Sequence, residues 1–292
     1  MKNEKEIVDI LKKLFPPGKA IVGIGDDAAV FEDLVFTTDL LAEDSHFRRW
    51  HPPFFLGRKT VNINLSDIAA MGADPLFILI SLSIPIELTG KWLDEFISGV
   101  KSACEDGNCS LVGGDLSHSE KIFISATAIG RTDKPVLRNR AKPGEKIVLV
   151  GDLGKARVGR EALESRIKGF ESLKMAFLDP VPKLKEGKEA TKFASSMIDV
   201  SDGLVIDLKR LLGNLGARLY SDKLKPAKEL ENFCRLNNKS SLEYVLYGGE
   251  DYALLLTTPN TPPFGEVIGL VINEGMFLDD TPLEVKGFDH FS

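Results

Sequence analysis

Carboxylates set on short, glycine-marked turns punctuate this chain from one end to the other. They read Gly25-Asp26-Asp27, Thr37-Thr38-Asp39, Asn64-Leu65-Ser66-Asp67, Gly113-Gly114-Asp115, Asp199-Val200-Ser201-Asp202 and Gly248-Gly249-Glu250-Asp251. Most adjoin an apolar run, so each is expected to cap a buried strand or helix. Acids that converge at the edge of one core repel unless a cation sits between them. Hard oxygen ligands select Mg²⁺, which keeps some of its waters and bridges to substrate phosphates. The acids therefore point to Mg-nucleotide chemistry.

Composition narrows the partners. A net charge of -6 argues against a nucleic-acid binder, which would carry a basic face. An acidic protein that binds phosphates must instead recruit metal ions. The 292 residues suffice for two domains, and 43% apolar with 27% charged residues fits a globular chain. No stretch approaches the ~20 apolar residues of a membrane span. Met1-Lys2-Asn3-Glu4-Lys5-Glu6 lacks the apolar core of a signal peptide. Cys104, Cys109 and Cys234 show no metal spacing and read as buried small hydrophobes in a reducing compartment. The expectation is a cytoplasmic protein with neither a nucleic-acid nor a membrane partner.

Periodicity places the motifs. Ile7, Ile10, Leu11 and Leu14 predict a helix that Pro16-Pro17-Gly18 stops. Ala28 to Phe31 and Leu34 to Thr38 read as strands, Phe54 to Ala73 as a helix, and Leu76 to Ile84 as a strand. Trp92, Phe96, Val100, Ala103 and Cys104 mark another helix, before strands at Ser110 to Val112 and Ile122 to Ile129. The polar, basic stretch Arg138 to Glu145 is the expected domain boundary, giving domains 1–137 and 138–292. Beyond it lie strands at Lys146 to Val150, Met197 to Val200, Tyr252 to Thr257 and Glu266 to Ile272. Helices are expected at Ala156 to Leu163, Ser172 to Leu178, Leu184 to Ala194 and Leu204 to Leu212. Helices and strands in both halves predict two α+β domains.

Two nucleotide signatures fail on inspection. Gly23-Ile24-Gly25-Asp26-Asp27-Ala28 satisfies a dinucleotide-binding spacing but puts two acids where a pyrophosphate would sit, and a strand follows it rather than a helix. Gly151-Asp152-Leu153-Gly154-Lys155 lacks the spacing of a phosphate loop and the hydroxyl residue after Lys. Asp67 is more telling, because a charge in so apolar a helix needs a partner. Gly113-Gly114-Asp115 reads as a turn that sets bare backbone N–H groups beside a metal-holding acid. Ser201 is the expected N-cap of the helix to Leu212, at a terminus that can also take a phosphate, with Asp199 and Asp202 flanking it as Mg²⁺ ligands. His46 precedes Phe47-Arg48-Arg49 in a polar loop, where a solvated side chain is the plain alternative to a functional one.

Taken in order, these segments resemble the thiamine-monophosphate kinase family. That family sits in the superfamily of aminoimidazole ribonucleotide synthetase, selenophosphate synthetase and the hydrogenase-maturation dehydratase. The match runs from Gly23-Ile24-Gly25-Asp26-Asp27 to Gly287-Phe288-Asp289-His290-Phe291, and Asn64 to Pro75 is its most specific piece. The resemblance implies two α+β domains, with the N-terminal sheets pairing into a barrel across a homodimer and the active site between domains. It implies that Asp27, Thr37, Thr38, Asp39, Asp67 and Asp115 gather several Mg²⁺ ions, joined by Asp199 and Asp202. Asp27, Asp39, Asp67 and Asp115 would carry the catalysis. Gly114, Asp115, Ser201 and one or both of Arg138 and Arg140 would contact ATP, the co-substrate. His46, Glu250 and Phe288 would hold thiamine monophosphate. Asp44-Ser45-His46-Phe47 departs from the family's Gly-x-His-Phe, so its loop is expected to bend differently. No site residue is drawn from 220–244.

Rival readings are separable. A selenophosphate synthetase would carry a reactive Cys near its N-terminal Gly-rich segment, and the hydrogenase-maturation protein would end in a Cys-bearing tail. Neither feature is expected here. An aminoimidazole ribonucleotide synthetase would lack the full Asn64 to Pro75 string. A non-catalytic Mg-nucleotide sensor would tolerate losses among the acids, yet every motif keeps its own.

Overall fold

The computed structural model describes residues 4–287, so Phe288 lies outside the described residues. The first half runs α1 (Glu4–Leu14), β1 (Ala29–Phe31), β2 (Leu34–Ala42), α2 (Pro53–Ala70), β3 (Asp74–Ile84), a 3₁₀ turn (Ile86–Leu88), α3 (Lys91–Asp106), β4 (Ser110–His118) and β5 (Phe123–Arg131). The second runs β6 (Lys146–Val150), α4 (Lys155–Glu164), α5 (Glu171–Leu178), α6 (Leu184–Ala190), β7 (Ser196–Asp199), α7 (Leu204–Leu212), β8 (Gly216–Leu219), α8 (Lys228–Leu236), α9 (Ser241–Tyr247), β9 (Leu254–Thr258), β10 (Glu266–Ile272), β11 (Met276–Leu278) and β12 (Thr281–Pro282).

These elements form an α+β fold with two mixed sheets. The first has order β1-β2-β5-β3-β4, and the second β12-β11-β8-β10-β6-β9-β7. Both are antiparallel except for the pairs β3–β4 and β8–β11. In the single chain the first sheet is open, with β1 and β4 as its edges.

α2 joins the two halves. Pro53 starts it, where a missing N–H costs nothing. Gly72, at φ 67°, ends it: Gly72 N–H donates to Ala69 O and Ala73 N–H to Ile68 O, the paired closure of a left-handed cap. Most of its residues are buried, because it packs on α3 as well as on β2 and β5, and meets α6 and β7 of the second half. A Cβ at Gly187 of α6 would sit 2.1 Å from Ala69 O, so glycine there lets the helices touch.

Several expectations need correction. α2 stops at Ala70 rather than Ala73, and α6 at Ala190 rather than Ala194. The strand expected from Tyr252 begins at Leu254, because Tyr252 holds φ 50°. Gly113-Gly114-Asp115 is not a turn. It lies within β4, which runs on to His118 after a bulge at Val112, and β3 supplies the ladder. A Cβ at Gly114 would fall 1.8 Å from Ile80 O, so its glycine serves strand packing. Ser201 does not cap α7. Gly203 holds that position, and Asp207 reaches back to accept from the Asp202 and Gly203 N–H groups at 2.9 and 3.1 Å. β8, α8 and α9 fall where no element was anticipated.

Candidate active site

Three carboxylates from distant parts of the sequence meet. Single oxygens of Asp27, Asp67 and Asp199 lie within 4.8 Å of one another, the one such His/Cys/Asp/Glu group among the described residues. Asp27 precedes β1, Asp67 belongs to α2 and Asp199 ends β7, so both halves of the fold contribute. Each is held by a neighbour. Thr37 Oγ1 donates to Asp67 Oδ2 at 2.6 Å, and Ser66 Oγ to Asp199 Oδ2 at 2.6 Å. Arg138 binds the Asp27 carboxylate, and its backbone N–H donates to Asp26.

The electrostatics are unbalanced. Burial pushes Asp67 and Asp199 well above the usual carboxylate range, and their neighbours add to it: Asp199, Asp39 and Asp27 act on Asp67, and Asp27 on Asp199. Asp27 is also raised by burial, against the pull of Arg138. Asp39 is pushed up to about 6 by burial and then by Asp202. Asp202 itself is ion-paired to Arg210, which also binds Asp207 at 2.8 Å. Asp27 Oδ2 is buried and has no hydrogen-bond partner. An all-oxygen donor set with excess negative charge and an orphaned carboxylate oxygen fits a hard divalent cation.

Strand alternation divides the remaining expected residues. Thr37 and Asp39 lie on the face of β2 that α2 covers. Thr38 lies on the other face, where its hydroxyl donates to Ala126 O and accepts from Thr127. Asp115 sits opposite Ser81, on that same uncovered face, and is exposed. It is not part of the carboxylate group. Gly114 adjoins it. Ser201 contributes its backbone, accepting from Glu250 N–H at 2.7 Å. Arg138 is engaged with the acids, whereas Arg140 is exposed and donates its N–H to Ser196 Oγ at 2.8 Å.

A second polar cluster stands two helical turns along α2 from Asp67. Lys59 is 3% exposed; its Nζ donates to Glu250 Oε2 at 2.8 Å and lies 3.8 Å from the centre of the Phe177 ring. Arg160 Nη1 is 4.0 Å from Glu250 Oε1. His51, held to about 4 by burial and then by the Lys59 charge, is neutral at physiological pH. His46 Nδ1 accepts from Ala42 N–H at 3.0 Å, so that nitrogen carries no proton. Sequence reasoning missed Lys59, Arg160 and Ser66. Lys59 did carry a signal, since a Lys in so apolar a helix needs a partner just as Asp67 does.

The family described as AIR synthase related protein, N-terminal domain, matches residues 25–132. A thiamine-monophosphate kinase of Aquifex aeolicus is 37% identical across 98% of this chain and 97% of its own. The chain belongs to the thiamine-monophosphate kinase family. Another member, from Methanocaldococcus jannaschii, is 29% identical across 99% of both chains. The solved structure of AaThiL complexed with AMPPCP and TMP has a TM-score of 0.93 at 37% identity, covering 99% of this chain and 97% of that one.

One departure from the thiamine-monophosphate kinase pattern leaves the local backbone in a glycine-like shape. Asp44, in the glycine position, adopts φ 72°, a left-handed conformation open to Asp at modest cost. Lys121 holds its carboxylate at 3.0 Å.

Proposed function

We propose that this chain phosphorylates thiamine monophosphate to thiamine diphosphate by direct transfer of the ATP γ-phosphoryl group. The observation that carries this reading is the meeting of Asp27, Asp67 and Asp199, with an unpartnered oxygen on Asp27. Asp27, Asp67 and Asp199 would hold Mg²⁺, with Asp39 and Asp202 beside them. Bound Mg²⁺ would neutralise charge as two polyanions approach. Thr37 and Ser66 fix the orientation of two of the carboxylates, and Arg138 keeps Asp27 from turning away. The acceptor phosphate, with a second pKa of roughly 6, is mostly dianionic at neutral pH and needs no general base. Positioning and electrostatics then supply the catalysis.

His46 and Glu250 would take the thiamine end, with the C-terminal Phe288 stacking on a ring. Ser201, Arg138 and Arg140 would serve ATP, with residues 1–137 and 138–292 acting as two domains around the cleft. Gly114, Asp115 and Thr38 would join from the uncovered face once a second copy pairs there. β4 is an edge strand on which Leu111, Val112 and Leu116 are 51, 54 and 75% exposed, which supports a homodimer barrel. The cysteines are free, in keeping with a cytoplasmic location. Among the described residues no helix is long and apolar enough to cross a membrane.

The test is to incubate the protein with ATP, Mg²⁺ and thiamine monophosphate. Thiamine diphosphate and ADP should form in equal amounts. ATP turnover with a different monophosphate but not this one would overturn the substrate, and no turnover with any acceptor would overturn the kinase reading.

A further inference from the structure

We propose that Arg160 is a positioning residue for the acceptor, locking the His46 loop to the Glu250 loop across the cleft between the two halves. This role presupposes that His46 and Glu250 take thiamine monophosphate, as proposed above. Arg160 sits on α4, with its side chain 14% exposed. Its Nη2 donates to the backbone carbonyl of Ser45 at 2.7 Å, and its Nε to Glu164 Oε1 at 3.1 Å. The same Glu164 oxygen accepts from Arg48 Nε at 3.1 Å, and Arg48 Nη1 donates to Asp44 O at 2.9 Å. The two carbonyls directly before His46 are thus each held by a guanidinium, and both guanidiniums converge on Glu164 of α4, Arg160 from the same helix and Arg48 from the other half.

The remaining arm of Arg160 faces Glu250. That carboxylate is strung between two cations, with Lys59 on Oε2 at 2.8 Å and Arg160 4.0 Å from Oε1. At 4.0 Å Arg160 attracts Oε1 without hydrogen-bonding it, so this oxygen is left for a donor or cationic group on the ligand. Glu250 also holds a left-handed backbone, φ 64°, fixed by its N–H donating to Ser201 O. A planar guanidinium can serve Ser45 O, Glu164 and Glu250 from one rigid fork, which the flexible ammonium of Lys cannot. Arg160 therefore touches the His46 loop and faces Glu250 at once, and its removal should loosen the acceptor end while leaving the carboxylate end intact.

Two readouts test it in Arg160→Ala. Without substrates, backbone amides of residues 43–47 should exchange hydrogen about tenfold faster or more, because their anchor to α4 is gone. In turnover, KM for thiamine monophosphate should rise about tenfold or more, while KM for ATP stays within about twofold. Arg160→Lys, which keeps the charge but not the fork, should fall between wild type and Arg160→Ala, and it is read by the same two measurements if Arg160→Ala does not fold. Unchanged exchange at 43–47 would overturn the lock. Equal rises in both KM values, or an unchanged KM for thiamine monophosphate, would overturn the positioning role. If the wild type makes no thiamine diphosphate, the kinase reading fails on that result alone, while the exchange measurement still decides whether Arg160 ties the loops together.

Discussion

Lys59 and Asp67 occupy the same buried helix, two turns apart, and meet opposite fates. Lys59 is paired: its ammonium donates to Glu250 Oε2 at 2.8 Å and Phe177 covers it. Asp67 finds a hydroxyl from Thr37 but otherwise faces Asp199, Asp39 and Asp27. Burying a charge is tolerable when a partner offsets it, and costly when the neighbours repeat its sign. The balanced end of α2 is thus built to hold a shape, and the unbalanced end to receive a cation. One helix serves both tasks because it lies between the two halves of the fold.

The sharpest way to break this contrast is Asp67→Asn. Turnover should fall on the order of a thousandfold or more, since a metal charge is lost where transition-state charge is stabilised. The metal-free protein should melt no lower than wild type, because one repelling carboxylate has gone. Near-wild-type turnover would contradict the metal assignment. At the balanced end the opposite pattern is expected. Lys59→Met should cost about 1–2 kcal/mol of unfolding free energy, since it leaves the partly exposed Glu250 with only the more distant Arg160. Adding Glu250→Gln should recover much of that loss in denaturant melts, and a purely additive double mutant would deny the pairing.

A pH series sharpens the comparison. Burial holds Asp39 and Asp207 at about 6 and Asp251 at about 7 in the folded protein. Each keeps a proton that the unfolded chain has released near 3.8, so the folded state binds more protons over that window. These three groups should therefore make the metal-free protein lose stability as pH rises from about 4 to 7, with Asp67 and Asp199, raised further, extending the fall upward and His51, held to about 4, opposing it at the acid end. Saturating Mg²⁺ should flatten part of this slope by binding only the ionised, folded site. Thermal melts in chelator and in Mg²⁺ that superimpose at every pH would count against the site. The smallest effect should come from Asp44→Gly, because the backbone there is already left-handed. A melting temperature close to that of wild type is expected, the lost solvent-exposed Lys121 pair offsetting the relieved strain.

How much of this was legible depended on how local each cause is. The helix over Asn64 to Ala70, the charge at Asp67 and the strand before Pro85 follow from periodicity, because their burial repeats along the chain. The pairing of Lys59 with Glu250 spans 191 positions, and Ser66 reaches Asp199 across 133, so no local pattern announces either. Gly114 read as a turn because glycine usually marks one; its need for closeness to β3 is visible only when β3 is beside it. The helix cap went to Asp207 rather than Ser201, since an acid one turn inside can reach back over two N–H groups. The side assignment of Thr38 and Asp115 followed from β alternation only after the register was known.

The most direct measurement is anomalous diffraction from crystals grown with Mn²⁺, as a stand-in for Mg²⁺, and a non-hydrolysable ATP analogue. Manganese peaks are expected among the carboxylates of Asp27, Asp67 and Asp199, with the analogue's phosphates against them. Nucleotide bound with these three acids still facing one another and no metal between them would contradict the central claim.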